Sequence, residues 1–152
     1  ILGFTHKFLS SLLTMKDVKE AETPMFNIGI DCEDIARWRE MLPKLQFGAQ
    51  KKLFSKNEHL YCMSCQDPAS HYAVRWCAKE ALVKAFSPFF KLDFRSVEVS
   101  KDVDGRPFFI LGDVTDQAKN FEIQLSMSHS KNTAQAAVMV VRGGSCACRI
   151  TR

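Results

Sequence analysis

Apolar positions change period along the chain, and the changes mark its elements. Phe26 to Ile30 is a short strand-like run, and Asp31 to Asp34 then offer capping groups for a helix. Ile35, Trp38 and Leu42 recur at i, i+3 and i+7 on one face of that helix, and Pro43 marks its stop. Ser55-Lys56-Asn57-Glu58 is a capping box, and the short helix it starts should break near Asp67-Pro68. Ser70 is placed to cap the next helix, over about 71–86, with Ala73, Cys77, Ala81, Leu82 and Trp76 as its apolar surface. The period then falls to two. Val97 and Val99 alternate with polar residues, Asp104-Gly105 makes a turn, and Pro107 to Leu111 returns as the second arm of a hairpin. Asp113 to Phe121 reads as a short helix, and Gln124–Ser128 and Thr133–Val141 as two further strands. Strands and helices are partly segregated, which predicts an α+β fold.

The chain has 152 residues, one ordinary domain, with 46% hydrophobic and 25% charged residues. That balance excludes disorder and collagen, and no run of 18 apolar residues exists to span a membrane as a helix. The working domain is 26–142, preceded by an extension (1–25) and followed by a Gly-containing tail (143–152). Residues 1–16 hold Lys7 and Lys16 and no acid, as expected of a leader remnant; this would place the protein in a plastid-type organelle, and otherwise in the cytoplasm. Net charge is only +4, and no aromatic–basic interleaving points to nucleic acid. The excess is local: Arg37, Arg39, Lys44, Lys51, Lys52 and Lys56 face only Glu40 and Glu58 over 35–60. Such a surface is either a solvated helical face or a landing site for an acidic partner. Of six cysteines, Cys77 reads as a small core residue, Cys62-x-x-Cys65 is half a zinc site, and Cys146-x-Cys148 has poor spacing for the other half.

Three clusters carry candidate chemistry. Gly29-Ile30-Asp31-Cys32-Glu33-Asp34 ends a strand in three acids, Trp76 to Ala85 contains Lys79, Glu80 and Lys84, and Ser126-Met127-Ser128-His129 precedes a turn. Each also has a plain reading: helix caps, an i, i+4 surface pair, a structural histidine.

Taken in order, these segments resemble the 4′-phosphopantetheinyl transferases of the single-domain holo-acyl-carrier-protein synthase type, over about 26–142. The resemblance rests on Gly29-Ile30-Asp31, on Phe54-Ser55-Lys56-Asn57-Glu58 followed by Lys79-Glu80-Ala81 and Lys84, on the Gly105-Arg106-Pro107 turn, and on Ser126 to His129 before Ala134, Ala136 and Ala137. It implies a small antiparallel sheet with one long helix packed on it and an active site at a homotrimer interface. It also implies transfer of phosphopantetheine from coenzyme A to a serine of apo acyl carrier protein, releasing adenosine 3′,5′-bisphosphate, in support of fatty-acid synthesis. Asp31 and Glu80 match the family's Mg²⁺ ligands, and Glu33 is either a third ligand or a helix-cap acid. Asp31, Glu80 and Lys84 are the catalytic candidates, with Glu80 or a metal-bound water as the base. Arg75, Lys79, Lys84, Arg106, Ser128 and His129 are the coenzyme A candidates. Arg37 matches a carrier-contacting arginine, and Arg39 could extend that surface. Two alternatives stay open: a polyketide or peptide-synthesis carrier as acceptor, and a non-catalytic basic module for an acidic carrier.

Overall fold

The computed structural model describes residues 25–45, 52–113 and 115–143. The expectations about residues 1–16, the remainder of the two terminal segments, Cys146 and Cys148 lie outside the described residues. The elements are β1 (Phe26–Asp34), α1 (Ile35–Met41), α2 (Lys56–Ser64), α3 (Pro68–Phe86), β2 (Val97–Lys101), β3 (Pro107–Leu111), α4 (Thr115–Ala118), β4 (Phe121–His129) and β5 (Thr133–Arg142). They form an antiparallel three-stranded sheet, β1-β5-β4, and a β2-β3 hairpin. No helix of the described residues is long and apolar enough to cross a membrane.

Most sequence-based boundaries agree with these elements, and the departures have local causes. Helix α3 starts at Pro68 rather than 71, because proline fits a first helical turn and Asp67 takes the cap position; the Ser70 hydroxyl lies inside that turn and donates to the Asp67 carbonyl at 2.9 Å. Helix α4 is shorter than expected because Phe121 already belongs to β4, its ring set against Phe86 and Phe89. At the end of β1 the capping acid is Asp34, whose Oδ1 accepts from the Ala36 amide at 2.8 Å. The Ser55 box forms as read, hydroxyl to the Glu58 amide and carboxylate to the Ser55 amide.

The contact that organises the domain is that of α3 on β1 and β5. The helix presents Ala73, Cys77, Ala78, Ala81 and Ala85 there, all buried, against Ala134, Ala136, Val138 and Val140 of β5. Small side chains let the helix axis come close. Closest of all is Gly29, where an added Cβ would lie 1.9 Å from the Ala81 carbonyl oxygen and 2.7 Å from the Ala85 amide nitrogen. Beside it, Asn27 donates to the carbonyls of Lys84 (3.3 Å) and Ala85 (2.9 Å) near the helix end. The alternation of β1 is therefore inverted: Asn27, Gly29, Asp31 and Glu33 face the helix, while Phe26, Ile28, Ile30 and Cys32 face outward.

Gly29→Ala should destabilise the fold by about 3 kcal/mol, since only backbone movement can relieve the clash. Gly105→Ala, at φ +80° with open space around it, should cost about 1 kcal/mol. Equilibrium denaturation of the two variants measures the difference.

Candidate functional site

The inverted strand brings an acidic residue under a helix that carries another. Asp31 Oδ1 accepts from Lys84 Nζ at 2.8 Å, and the same ammonium donates to the Ile30 carbonyl at 3.1 Å. Asp31 Oδ2 is buried and has no hydrogen-bond partner. The Cys77 thiol beside it is turned to the Ala134 carbonyl, 3.5 Å away, and is pushed up in pKa by burial and by the Asp31 charge. Glu80 lies one turn before Lys84 on α3. Burial pushes its carboxyl above the ordinary value, and the Asp31 charge adds to this against the opposing Lys84 ammonium. Two carboxyls thus lie within electrostatic reach of one another and of one ammonium, and one buried carboxylate oxygen has no donor. That is a hard-oxygen pair with capacity for a cation.

Glu33 is near enough for its charge to add to the lift on Glu80, but its carboxylate has partners of its own. Its Oε2 accepts from Arg37 at 3.3 Å and from the Trp38 indole at 3.4 Å, turned toward α1. Among the described residues no group of three His, Cys, Asp or Glu is placed to hold a metal, and the cap of α1 is Asp34 rather than Glu33.

A cleft of about 270 Å³ opens between the first half of α3, the β2-β3 turn and the end of β4, lined by His71, Arg75, Lys101, Gly105, Ser128 and His129 among others. It gathers three of the residues singled out in the sequence: Arg75, Ser128 and His129. Arg106 is exposed between Gly105 and Pro107, at the cleft's rim. Arg75 is 2% exposed. Its guanidinium sits 4.1 Å over the Tyr61 ring and donates to the His71 carbonyl at 3.3 Å, yet its buried Nε has no partner. An enclosed guanidinium with an unused donor, beside Lys101 and two histidines, gives the cleft a lining whose chemistry suits an anion.

Lys79 departs from its expected role. It is 1% exposed, and its ammonium donates to Glu58 at 2.8 Å and to the Leu53 carbonyl at 2.9 Å. The same Glu58 carboxylate accepts the amides of Ser55 and Val99. The pair ties α2, α3 and β2 together, and Lys79 has no path to a ligand.

The model of the 4′-phosphopantetheinyl transferase superfamily matches residues 27–140. The chain belongs to that superfamily. It is similar to the holo-[acyl-carrier-protein] synthase of Nautilia profundicola, 36% identical over 120 residues that cover 76% of this chain and 99% of that one. The corresponding protein of Syntrophus aciditrophicus is 33% identical over 118 residues, covering 74% and 92%. Among solved structures, an ACPS–CoA complex of Chronobacterium ammoniagenes superposes with a TM-score of 0.67 at 27% identity, covering 78% and 98%. The Helicobacter pylori synthase in complex with coenzyme A gives 0.63 at 27%, covering 74% and 98%. In this transferase the motifs that carried the resemblance fall on both halves of the site: Gly29 to Asp31 with Glu80 and Lys84 on one side, and Arg75, Ser128 and His129 on the other.

Sequence reasoning did not reach His71 and Lys101, which line the cleft, or Tyr61, which packs against Arg75 and His71. His71 had a usable signal, since it precedes Arg75 by four residues on one helix face. Lys101 and Tyr61 come to this place only through tertiary packing.

Because the pKa of Glu80 in the folded protein lies above its unfolded value, an ionised Glu80 costs stability at neutral pH. Glu80→Gln should therefore stabilise the metal-free protein at pH values above the folded pKa. That gain should vanish as the pH falls toward the ordinary value of 4.5. Thermal melts across pH, without divalent cations, measure it. Loss of stability on substitution at neutral pH would contradict this electrostatic reading.

Proposed function

We propose that this transferase acts as a holo-acyl-carrier-protein synthase, moving phosphopantetheine from coenzyme A to a serine of an apo acyl carrier protein. The observation that carries the reading is the juxtaposition of the Asp31–Glu80–Lys84 group with a separate anion cleft built on the same helix. Coenzyme A has the matching charges: a pyrophosphate at the reacting bond and a phosphate on the ribose.

Asp31 and Glu80 would hold a divalent cation, with Asp31 Oδ2 as the free donor, and Mg²⁺ suits two carboxylates completed by phosphate oxygens and water. Bound there, the ion supplies charge neutralisation of the pyrophosphate and polarisation of the attacked phosphorus. The chain's own residues do the rest. Lys84 is half exposed and can turn its ammonium from Asp31 to the departing phosphate. Arg75, Ser128, His129 and the rim Arg106 hold the nucleotide end and so orient the pyrophosphate for in-line attack. The carrier serine oxygen bonds to the phosphorus that bears pantetheine, and the phosphoanhydride bond to the adenosine 5′-phosphate breaks. The serine proton leaves to Glu80, or to a water that Glu80 holds, its carboxyl being biased toward accepting one.

The acceptor is acidic. Arg37, Glu40, Met41, Lys44 and Leu45 line a groove of about 310 Å³ on α1 and the turn that follows, offering two cations and one acid around an apolar floor. Arg39 is engaged elsewhere. It donates to Asp67 at 2.6 Å and to the Lys131 carbonyl at 3.3 Å, fastening α1 to the start of α3. Arg37 is also paired, with Glu33, but more loosely and with a more exposed side chain, so the direct carrier contact falls to Arg37 more than to Arg39.

A homotrimer fits the outward face of the sheet. Phe26, Ile28 and Ile30 are 58%, 52% and 64% exposed, and Ile28 and Ile30 lie opposite Met139 and Ala137 of β5. An apolar sheet face of this kind calls for cover. A groove on it, lined by Ile30, Ser126, Gln135 and Ala137, shares Met127 and Ser128 with the anion cleft. A second copy seated there would supply the cleft's missing wall.

Mass spectrometry of apo acyl carrier protein incubated with the protein, coenzyme A and Mg²⁺ tests the reading. A gain of one phosphopantetheine is expected, lost with chelator and reduced about a hundredfold or more in Asp31→Ala. Arg37→Glu should raise KM for the carrier with little change in kcat, an effect that fades with added salt. Ile30→Glu should sediment as a monomer and lose transfer. Absence of mass gain from the folded, assembled protein would overturn the proposal.

A further inference from the structure

The anion cleft holds a feature that the binding of a pyrophosphate does not need: two imidazoles in contact. His71, on α3, meets His129, at the end of β4, with ring centroids 5.1 Å apart and planes at 78°. On its other side His71 meets the edge of Tyr61 at 5.7 Å. Lys101 Nζ lies 5.5 Å from the Tyr61 centroid and donates to the Tyr61 hydroxyl at 3.3 Å, while Arg75 covers the same ring. The groups that face His71 are therefore His129 from β4, Arg75 from its own helix, Lys101 from β2 and, at the helix start, Asp67. Asp67 is the one acid among them, and Arg39 already pairs with it. The cleft thus sets His71 among cations with no free carboxylate. Burial lowers the proton affinity of its ring, and His129, Arg75 and Lys101 lower it further.

Charges of like sign at short range in a partly enclosed site disfavour the protonated His71 ring while the cleft is empty. A phosphate dianion in the cleft reverses that balance. In coenzyme A each phosphorus of the pyrophosphate carries a single ionisation near neutrality. The ribose phosphate is a monoester and is the one group able to present two charges. The unpartnered, buried Nε of Arg75 in the same wall is an independent sign that this place is made for an anion.

We infer that His71 is a ligand-binding residue of the cleft, and that it takes up a proton when the ribose phosphate monoester of the coenzyme enters. This rests on the transferase reading above and adds to it a residue and a proton. Coenzyme affinity then falls as pH rises above neutrality, by up to about tenfold per pH unit for uptake of one proton. A coenzyme lacking the monoester gains no such dependence. His71 acts here as a selector for the doubly charged phosphate, while the chemistry at Asp31 and Glu80 is left to other groups.

Isothermal titration with coenzyme A tests this on the assembled protein, between about pH 7 and about pH 8.5, where its ribose phosphate monoester is already dianionic. Running it in two buffers of different ionisation enthalpy counts the protons. Uptake approaching one proton per site is expected at the lower end of that range, with dephospho-coenzyme A, which lacks the monoester, showing little. His71→Asn should lose at least half the uptake, weaken binding several-fold at neutral pH and flatten its pH dependence. Should that variant fold poorly, His71→Phe keeps the ring contacts with Tyr61 and His129 and carries the same expectation. Tight binding with no proton uptake, or uptake unchanged in the His71 variants, would overturn the inference while transfer to the carrier, followed by mass, stayed intact. Loss of both binding and transfer in the unsubstituted protein would instead overturn the transferase reading on which it rests.

Discussion

The approach of helix α3 to strand β1 at Gly29 is the constraint on which the site depends. A helix normally stands off a sheet by the thickness of two layers of side chains. Here one layer is a glycine and the other is alanine, so helix backbone lies where a Cβ would otherwise be. That proximity lets the short carboxylate of Asp31, two residues along the strand, reach the face that carries Glu80 and Lys84. With a normal stand-off, those groups would face one another across water, and the shared electrostatics that lift Glu80 would be screened away. The inverted alternation of β1 follows from the same geometry. The strand spends its inward positions on Asn27, Gly29, Asp31 and Glu33, and its apolar side chains are left outward for another surface to cover.

A second constraint fixes the other half of the molecule. The buried Glu58–Lys79 pair joins the α2 cap to the middle of α3 and to β2. An ion pair so enclosed gains little net stability over an apolar replacement, and loss of either partner would strand a charge. Its value lies in position. It sets α2, and with it Tyr61, under the Arg75 guanidinium, and so shapes the floor of the anion cleft. The two halves of the site are thus fixed by different means, the acidic half by close packing and the anion half by a polar hub, and α3 is common to both.

Much of this was legible in the sequence. The capping box at Ser55, the hairpin around Gly105 and the long apolar face of α3 are local signals, and local interactions form them. Asp31, Glu80, Lys84, Arg75, Ser128 and His129 were recognisable because they sit in short motifs of fixed spacing. What failed to be legible was burial and partnership. Lys79 and Lys84 look alike on paper, five residues apart on one helix, yet one is enclosed with Glu58 and the other reaches Asp31. Glu33 and Asp34 are adjacent acids, and only the fold decides that Asp34 caps the helix while Glu33 turns to Trp38. Arg39 looked like part of a free basic surface until tertiary packing gave it Asp67. The outward face of β1 was hidden for the same reason: alternation reveals two faces of a strand, and does not say which is covered first.

The most direct test of the account is the position of the cation. Crystals of the assembled protein grown with coenzyme A and Mn²⁺ in place of Mg²⁺ would locate it by anomalous diffraction. The expected result is a peak held by Asp31 Oδ2 and Glu80, with the Lys84 ammonium moved from Asp31 toward a phosphate. A fully occupied coenzyme with the cation bound elsewhere, or with Lys84 still on Asp31 and no cation between the two carboxylates, would contradict it.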